Sequence, residues 1–104
     1  MKNTVIRYKV KPERIEENRQ LIAAVFAELS SKAPEGISYA NFAADDGTFV
    51  HIVASETEDR SALTSLRSFE RFTQDVADRF LESAQVADVT IVGNYRLLTE
   101  SLRG

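Results

Sequence analysis

Side chains alternate in character near the start of the chain, over residues 4–10. One set of alternate positions holds Ile6, Tyr8 and Val10, and the other holds Val5, Arg7 and Lys9. A period of two residues with β-branched and aromatic side chains is typical of a β-strand. Lys11-Pro12 ends this strand, and Pro12 suits the first position of a helix, where a backbone N–H has no helical partner.

The next stretch carries its apolar residues at helical spacing. At about 100° per residue, one face collects Ile15, Ile22, Val25, Phe26 and Leu29. Asn18 falls inside this apolar stripe, where an aliphatic residue would be expected. Residues 30–36, Ser-Ser-Lys-Ala-Pro-Glu-Gly, end the helix.

Two β-prone runs, residues 37–44 and 48–55, flank the turn signal Asp45-Asp46-Gly47. Asp-Gly between such runs is the strongest short-range indication of a β-hairpin. A two-residue loop of Asp46-Gly47 predicts these cross-strand pairs: Ala44 with Phe49, Phe42 with His51, and Ala40 with Val53. The opposite face of the hairpin would then carry Tyr39, Asn41, Val50 and Ile52. A four-residue loop keeps this register, whereas a three-residue loop changes it.

The C-terminal part of the chain predicts a loop, a second helix and a last strand. Residues 56–64 are mostly polar, and Leu63 is their main apolar residue. This composition indicates a loop with one helical turn. An amphipathic helix is predicted over residues 66–82, with the inward stripe Phe69, Phe72, Thr73, Val76 and Phe80. The β-branched residues within 86–98 predict the closing strand.

The predicted order β-α-β-β-α-β indicates a ferredoxin-like α+β fold with a four-stranded antiparallel sheet, forming a single domain over residues 1–104. Right-handed crossovers place both helices on one face of that sheet. The strands nevertheless carry apolar residues on both faces: Phe49 and Val53 on one side, and Val50 and Ile52 on the other. We therefore expect a homodimer in which a second copy covers the free sheet face.

Composition narrows the partners that this domain would have. The 104 residues carry a formal net charge of -3, which disfavours nucleic acid and anionic membrane surfaces as partners. The absence of cysteine excludes disulfides, thiolate metal sites and cysteine nucleophiles. The N-terminus lacks the apolar run of a signal peptide, so a cytoplasmic location is expected. One histidine and scattered carboxylates predict no metal site.

Several short motifs spread over nearly the whole chain resemble one known group of proteins. They are Tyr8-x-Val10-Lys11-Pro12, Glu17-Asn18, Val25-Phe26-Ala27-Glu28-Leu29, Gly36-x-x-Tyr39-Ala40-x-Phe42, Phe49-Val50-His51, Phe69-x-x-Phe72 and Gly93-Asn94-Tyr95-Arg96. With these motifs the chain resembles the dimeric α/β-barrel superfamily, and within it an uncharacterised branch of the antibiotic-biosynthesis-monooxygenase-like proteins. The resemblance implies two sheets that close into a barrel, with any ligand pocket between one protomer's sheet and its helices.

His51 and Asn18 are the first candidates for a functional site. His51 is the only histidine, and its unperturbed pKa suits proton transfer near neutral pH. It could act as a general base in an apolar pocket, or be a half-buried histidine satisfied by one hydrogen bond at the dimer interface. Asn18 could bind a ligand's carbonyl or hydroxyl, or tie its helix to a strand or loop.

Tyr8, Tyr39 and Arg79 complete the set of candidate substrate-binding residues. A tyrosine on a strand can orient an aromatic ligand through its hydroxyl, although it is also an ordinary core residue. Arg79 lies at the edge of the second helix's inward stripe. It could clamp a substrate, or it could pair with Asp75 or Glu82 one turn away.

The leading hypothesis is a homodimeric monooxygenase-like protein with a small apolar pocket. If it is an enzyme, the expected reaction is cofactor-independent oxidation of a small aromatic, a quinol or an anthrone, with His51 as base and Asn18 and a tyrosine placing the oxygen functions. The alternative is a dimer module that binds a small molecule or has a structural role without catalysis. An open pocket of about 300 Å³ or more, lined by His51 and Asn18, would favour the enzyme. A closed core with both residues in intramolecular hydrogen bonds would favour the module.

Overall fold

The computed structural model describes residues 2–56 and 61–97 of the chain. Within them lie β-strands β1 (Lys2–Val10), β2 (Ile37–Ala43), β3 (Thr48–Ser55) and β4 (Phe80–Val89), and α-helices α1 (Ile15–Lys32), α2 (Ser61–Thr64), α3 (Arg67–Thr73) and α4 (Val76–Arg79). A 3₁₀ turn over Pro12–Arg14 leads into α1. No helix among these described residues is long and apolar enough to cross a membrane.

The four strands form one antiparallel sheet in the order β2-β3-β1-β4. This confirms the ferredoxin-like α+β fold class. In the pairing of β1 with β3, Tyr8 lies opposite Phe49 and Ile6 lies opposite His51. Because opposed residues share a sheet face, these side chains all point toward the helices.

The core lies between this face of the sheet and the helices, as the stripe on the first helix predicts. Ile22 and Val25 of α1 are buried, and Ile15, Phe26 and Leu29 pack against the same cluster. Phe72 of α3 and Leu63 of α2 enter the cluster from the other side. Helix α2, which carries Leu63, confirms the predicted helical turn. Residues 57–60 of the predicted loop lie outside the described residues.

The predicted register of the hairpin is wrong by one residue. The observed pairs are Asn41 with His51 and Tyr39 with Val53, since the loop has three residues, Asp45-Asp46-Gly47. Thr48 donates a backbone hydrogen bond to the side chain of Asp46 (3.0 Å) and so helps to close this longer loop. A shift of one residue exchanges the two faces of a strand, so Tyr39 and Asn41 lie on the helix side, not on the opposite face.

The predicted second helix and last strand are also wrong in their boundaries. The helical pattern over residues 66–82 stops at Thr73, resumes at Val76 and ends at Arg79. Phe80 then begins a strand that runs to Val89, so most of the predicted strand, residues 90–97, forms no strand; residue 98 lies outside the described residues. Pairing with β1 supplies a ladder of backbone hydrogen bonds to residues 80–89, and this outweighs the helical pattern of residues 80–82.

Strand β4 is an edge strand that is exposed along almost its whole length. Leu81 is 54% exposed, Val86 is 64% exposed and Val89 is 38% exposed. On the sheet face away from the helices, Val50 and Ile52 are only half-buried. The described chain thus leaves apolar surface uncovered on β4 and on the second sheet face.

Candidate functional site

The side chains of all the candidate site residues meet on the helix face of the sheet. Three come from neighbouring strands: Tyr8 from β1, Tyr39 from β2 and His51 from β3. Asn18 reaches the same place from α1, and Arg79 reaches it from the end of α4. Sequence reasoning named each residue separately; the structure joins them in one hydrogen-bonded network.

The network runs from Arg79 to Tyr39 through the buried core. Arg79 Nε donates to Asn18 Oδ1 at 2.8 Å, and Asn18 Nδ2 donates to the Tyr8 hydroxyl at 3.1 Å. The Tyr8 hydroxyl lies 2.6 Å from His51 Nε2, and the Tyr39 hydroxyl lies 2.6 Å from His51 Nδ1. Both ring nitrogens of His51 and both polar atoms of Asn18 therefore have partners within the protein.

Arg79 is the charged end of this network and is completely buried. Its remaining nitrogens donate to Asp75 Oδ1 at 2.6 Å and to the carbonyl oxygen of Phe72 at 2.5 Å. The guanidinium also lies over the ring of Phe72, 5.0 Å from its centroid. Burial lowers the pKa of Arg79, whereas the charge of Asp75 opposes that shift. The predicted pairing of Arg79 with Asp75 is confirmed.

Asp75 links this buried cation to the surface. Arg14, at the end of the 3₁₀ turn, donates to Asp75 Oδ2 at 2.7 Å and also pairs with Glu17. The hydrogen bond from Arg14, together with the charge of Arg79, holds the pKa of Asp75 below its usual range. Asp75 thus remains ionised at neutral pH and balances the charge of Arg79.

His51 lies in an apolar setting beneath the helices. It is 3% exposed, and the Phe72 ring lies 5.6 Å from its ring. Burial lowers the pKa of His51 to about 4, so the imidazole is neutral at neutral pH. The interpretation of His51 as a half-buried interface histidine with one hydrogen bond is wrong: it has two bonds and faces the protomer's own helices.

The two tyrosines that flank His51 keep their protons for the same reason. Burial raises the pKa of Tyr8, and it raises the pKa of Tyr39 to about 12. Tyr8 stacks on Phe80 with ring centroids 4.0 Å apart, and Tyr39 stacks on Phe26 at 4.9 Å. Both hydroxyls are therefore held beside His51 by rings packed on rigid strands.

A cavity of about 240 Å³ adjoins His51 between the sheet and the helices. Its polar end is formed by Tyr8, Tyr39 and His51, and its walls are mainly apolar: Ile6, Val53, Leu63, Phe69, Phe72, Val76, Phe80 and Ala84, with Thr64 and Thr73. Asn18 and Arg79 do not line it; they lie behind Tyr8 in the network. The candidate ligand-binding groups are thus His51 and the two tyrosines, with Asn18 and Arg79 as their support.

Sequence reasoning missed two parts of this site. The carbonyl oxygen of Phe72 accepts a hydrogen bond from Arg79, and Thr64 and Thr73 line the cavity. No sequence pattern marks a backbone acceptor, and the two threonines lie in segments where the predicted elements were inaccurate. Within the described ranges, no group of three histidine or acidic side chains is arranged to hold a metal ion. The expectation that the site needs no cofactor stays a prediction.

Comparisons with known proteins agree with this fold. No protein-family model and no curated protein matches the chain. A solved antibiotic biosynthesis monooxygenase is 23% identical, with 89% of this chain and 100% of that chain covered and a TM-score of 0.66. A Nitrosomonas europaea protein, provisionally named an antibiotic biosynthesis monooxygenase, is 21% identical over 85% of this chain and 86% of that chain, with a TM-score of 0.70. A conserved protein from Methanosarcina mazei Go1 is 14% identical over 85% and 89%, also with a TM-score of 0.70. The chain therefore has the fold of the antibiotic-biosynthesis-monooxygenase-like proteins.

Proposed function

We propose that this chain is a monooxygenase-like protein that oxidises a small aromatic molecule without a cofactor, in the cavity beside His51. The observation that carries the proposal is the cavity itself, which combines apolar walls with one polar end made by His51, Tyr8 and Tyr39. Such a site favours a flat apolar molecule with an oxygen function at one end. The names of the solved structures with this fold support the same class of reaction.

The volume of the cavity supports the smaller of the two predicted substrate classes. A cavity of about 150 Å³ is enough for benzene, and pockets for larger ligands begin at about 300 Å³. The cavity here, about 240 Å³, lies between these limits. A quinol with one or two rings therefore suits it better than a three-ring anthrone.

The reaction needs only the quinol and dioxygen. One atom of dioxygen replaces a ring hydrogen of the quinol as a hydroxyl group, and the other leaves as water with the two hydroxyl hydrogens of the quinol, which gives the hydroxylated quinone. The quinol must first lose a proton, because the quinolate anion is the form that gives up electrons readily. His51 was predicted to take this proton, but each of its ring nitrogens is already hydrogen-bonded to a tyrosine. For His51 to act as the base, one of these bonds would have to break when substrate binds.

The second candidate function is a module that binds a small aromatic molecule without chemistry. Two observations favour it: His51 and Asn18 are both fully engaged in intramolecular hydrogen bonds, and the cavity is smaller than about 300 Å³ and not lined by Asn18. The module and the enzyme share the ligand site and differ only in turnover. One experiment with two readouts therefore separates them.

The experiment measures oxygen uptake and binding for benzoquinol and naphthoquinol, with uncatalysed autoxidation subtracted. Ala84→Phe adds a ring at a position that lines the cavity and takes no part in the network's hydrogen bonds, and Ala77→Phe is its control on the exposed side of α4. We expect binding and oxygen uptake in the wild type and in Ala77→Phe, and neither in Ala84→Phe. Binding without oxygen uptake would establish the module instead, and no binding would overturn both functions.

We also propose that the protein works as a homodimer. The support is the apolar surface of β4, where Leu81 is 54% exposed and Val89 is 38% exposed, and the half-buried Val50 and Ile52 on the second sheet face. A second copy of the chain, related by a two-fold axis, would cover the same apolar patch on both protomers. The cavity lies on the helix side of the sheet, away from this second face.

A further inference from the structure

We infer that the buried Arg79 fixes the direction of every hydrogen bond between itself and the cavity, that is, which group donates and which accepts. As a result, the Tyr39 hydroxyl is presented to the cavity as a donor. The site would then select aromatic ligands that carry an acceptor oxygen, the carbonyl of a quinone or aromatic ketone or the oxygen of a quinolate. This ligand class rests on the proposed function, whereas the direction of the network does not. Arg79 and Asn18 act in it as positioning residues, because neither lines the cavity.

The direction starts at Arg79 because a guanidinium group has only donors. Asn18 must therefore turn its carbonyl oxygen toward Arg79 Nε, 2.8 Å away. That leaves the amide nitrogen of Asn18 facing the Tyr8 oxygen at 3.1 Å. Since an amide N–H₂ group can only donate, the Tyr8 oxygen is an acceptor at this contact.

Tyr8 determines the direction of the next hydrogen bond, the one to His51. With its oxygen accepting from Asn18, the hydroxyl hydrogen is free to point at His51 Nε2, which lies 2.6 Å away. The rings of Phe80 and Phe49 stack on Tyr8, so its hydroxyl hydrogen has no better acceptor on those sides. His51 Nε2 is consequently the unprotonated nitrogen of the ring.

A neutral imidazole with an unprotonated Nε2 carries its single proton on Nδ1. That proton points to the Tyr39 oxygen, 2.6 Å away, and Tyr39 thereby becomes an acceptor toward His51. The side chain of Asn41 also contacts the Tyr39 hydroxyl and acts to lower its pKa, as a donor to the oxygen does. The hydroxyl hydrogen of Tyr39 therefore remains for the cavity, which Tyr39 lines. In this resting state His51 has no lone pair directed at a ligand, so the site stabilises an oxygen anion instead of removing a proton.

The first test determines which nitrogen of His51 carries the proton. His51 is the only histidine in the chain, so the two imidazole signals in a ¹⁵N NMR spectrum can be assigned without ambiguity. We expect a protonated Nδ1 and an unprotonated Nε2 at neutral pH. The opposite tautomer in the wild-type protein would overturn the inferred direction.

The second test reverses the direction with one near-isosteric change. In Asn18→Asp the carboxylate can pair with Arg79 but can no longer donate to Tyr8, so Tyr8 must donate to Asp and accept from His51 Nε2. We expect the protonated nitrogen of His51 to change from Nδ1 to Nε2. The charge control is Asn94→Asp on the exposed surface, which should keep the wild-type tautomer. An unchanged tautomer in a folded Asn18→Asp protein would contradict the positioning role; if that variant does not fold, the wild-type spectrum still decides the direction.

The third test concerns the ligand class. Acetophenone and α-methylstyrene have the same shape, but only the ketone has an acceptor oxygen. Wild-type protein should bind acetophenone about tenfold more tightly than the alkene, a preference worth about one hydrogen bond, and should lower its carbonyl stretching frequency. Tyr39→Phe should remove both effects, and Asn18→Asp should remove the preference while improving the binding of phenol, which can donate.

The outcomes of these tests are distinguishable. Equal binding of the ketone and the alkene, together with the expected tautomer, would overturn the ligand class and leave the network direction standing. Binding of none of the three probes would overturn the proposed function. The wrong tautomer in the wild type, or an unchanged tautomer in a folded Asn18→Asp protein, would overturn the role of Arg79 and Asn18.

Discussion

The substitution Tyr8→Phe removes a single hydroxyl group, but it should destabilise the protein more than the loss of so small a group suggests. The phenylalanine ring would keep the stacking on Phe80 at 4.0 Å, so the loss is confined to hydrogen bonds. Two buried groups would lose their partner: Asn18 Nδ2, in a residue that is 0% exposed, and His51 Nε2, in a residue that is 3% exposed. Each unsatisfied buried group costs about 1–3 kcal/mol, which gives about 2–4 kcal/mol for the variant if the site relaxes partly.

Tyr39→Phe is the matched control for this prediction. Tyr39 is half-buried, and its hydroxyl contacts His51 Nδ1 and the side chain of Asn41, at the less buried end of the network, so its loss should cost about 1 kcal/mol. Urea unfolding at pH 7 and fixed protein concentration measures both free energies, with unchanged m-values as the check on two-state behaviour. A cost below about 0.5 kcal/mol for Tyr8→Phe, or equal costs for the two variants, would refute the view that the network is buried and fully paired.

The remaining predictions concern acid stability, the hairpin loop and assembly. Burial lowers the pKa of His51 from 6.5 to about 4, so protonation of this group should reduce stability by about 3 kcal/mol as the pH drops from 6.5 to 4. Urea titrations at several pH values should show that His51→Phe removes this part of the acid destabilisation and leaves the smaller part due to carboxylates with a lowered pKa, such as Glu28. Gly47 has a φ of 89°, and an added Cβ would lie 3.1 Å from the carbonyl oxygen of Val10; Gly47→Ala should therefore cost about 1–3 kcal/mol, whereas Gly93→Ala, with open space around it, should be nearly neutral in thermal melts. Light scattering should show a dimer that Leu81→Asp dissociates and Ala27→Asp, on the exposed side of α1, does not; a monomeric wild type would contradict the dimer proposal.

Much of the fold follows from local patterns in the chain. The alternation in residues 4–10, the stripe from Ile15 to Leu29 and the Asp46-Gly47 signal each predict an element that the structure contains. These patterns are reliable because a buried face needs apolar side chains at the period of its element. The position of Asn18 within the stripe also showed in advance that a polar group would be buried there.

The details that decide the site were not local. A hairpin loop of two residues and one of three are almost equally compatible with Asp45-Asp46-Gly47, yet they place Tyr39 on opposite faces of the sheet. Residues 80–82 continue the helical pattern but become part of a strand because β1 offers them hydrogen bonds. Helix α4 consequently ends at Arg79, in a position from which the Arg79 side chain enters the core.

The residue types at the site could be listed from the sequence, but their connection could not. Tyr8, Asn18, His51 and Arg79 are separated by up to 71 positions and come within hydrogen-bonding distance only when the sheet and helices pack. A histidine in a sequence has two equivalent tautomers, and a tyrosine can donate or accept. Their directions are set by a donor-only cation buried behind them, and that depends on which side chains the tertiary structure places in contact.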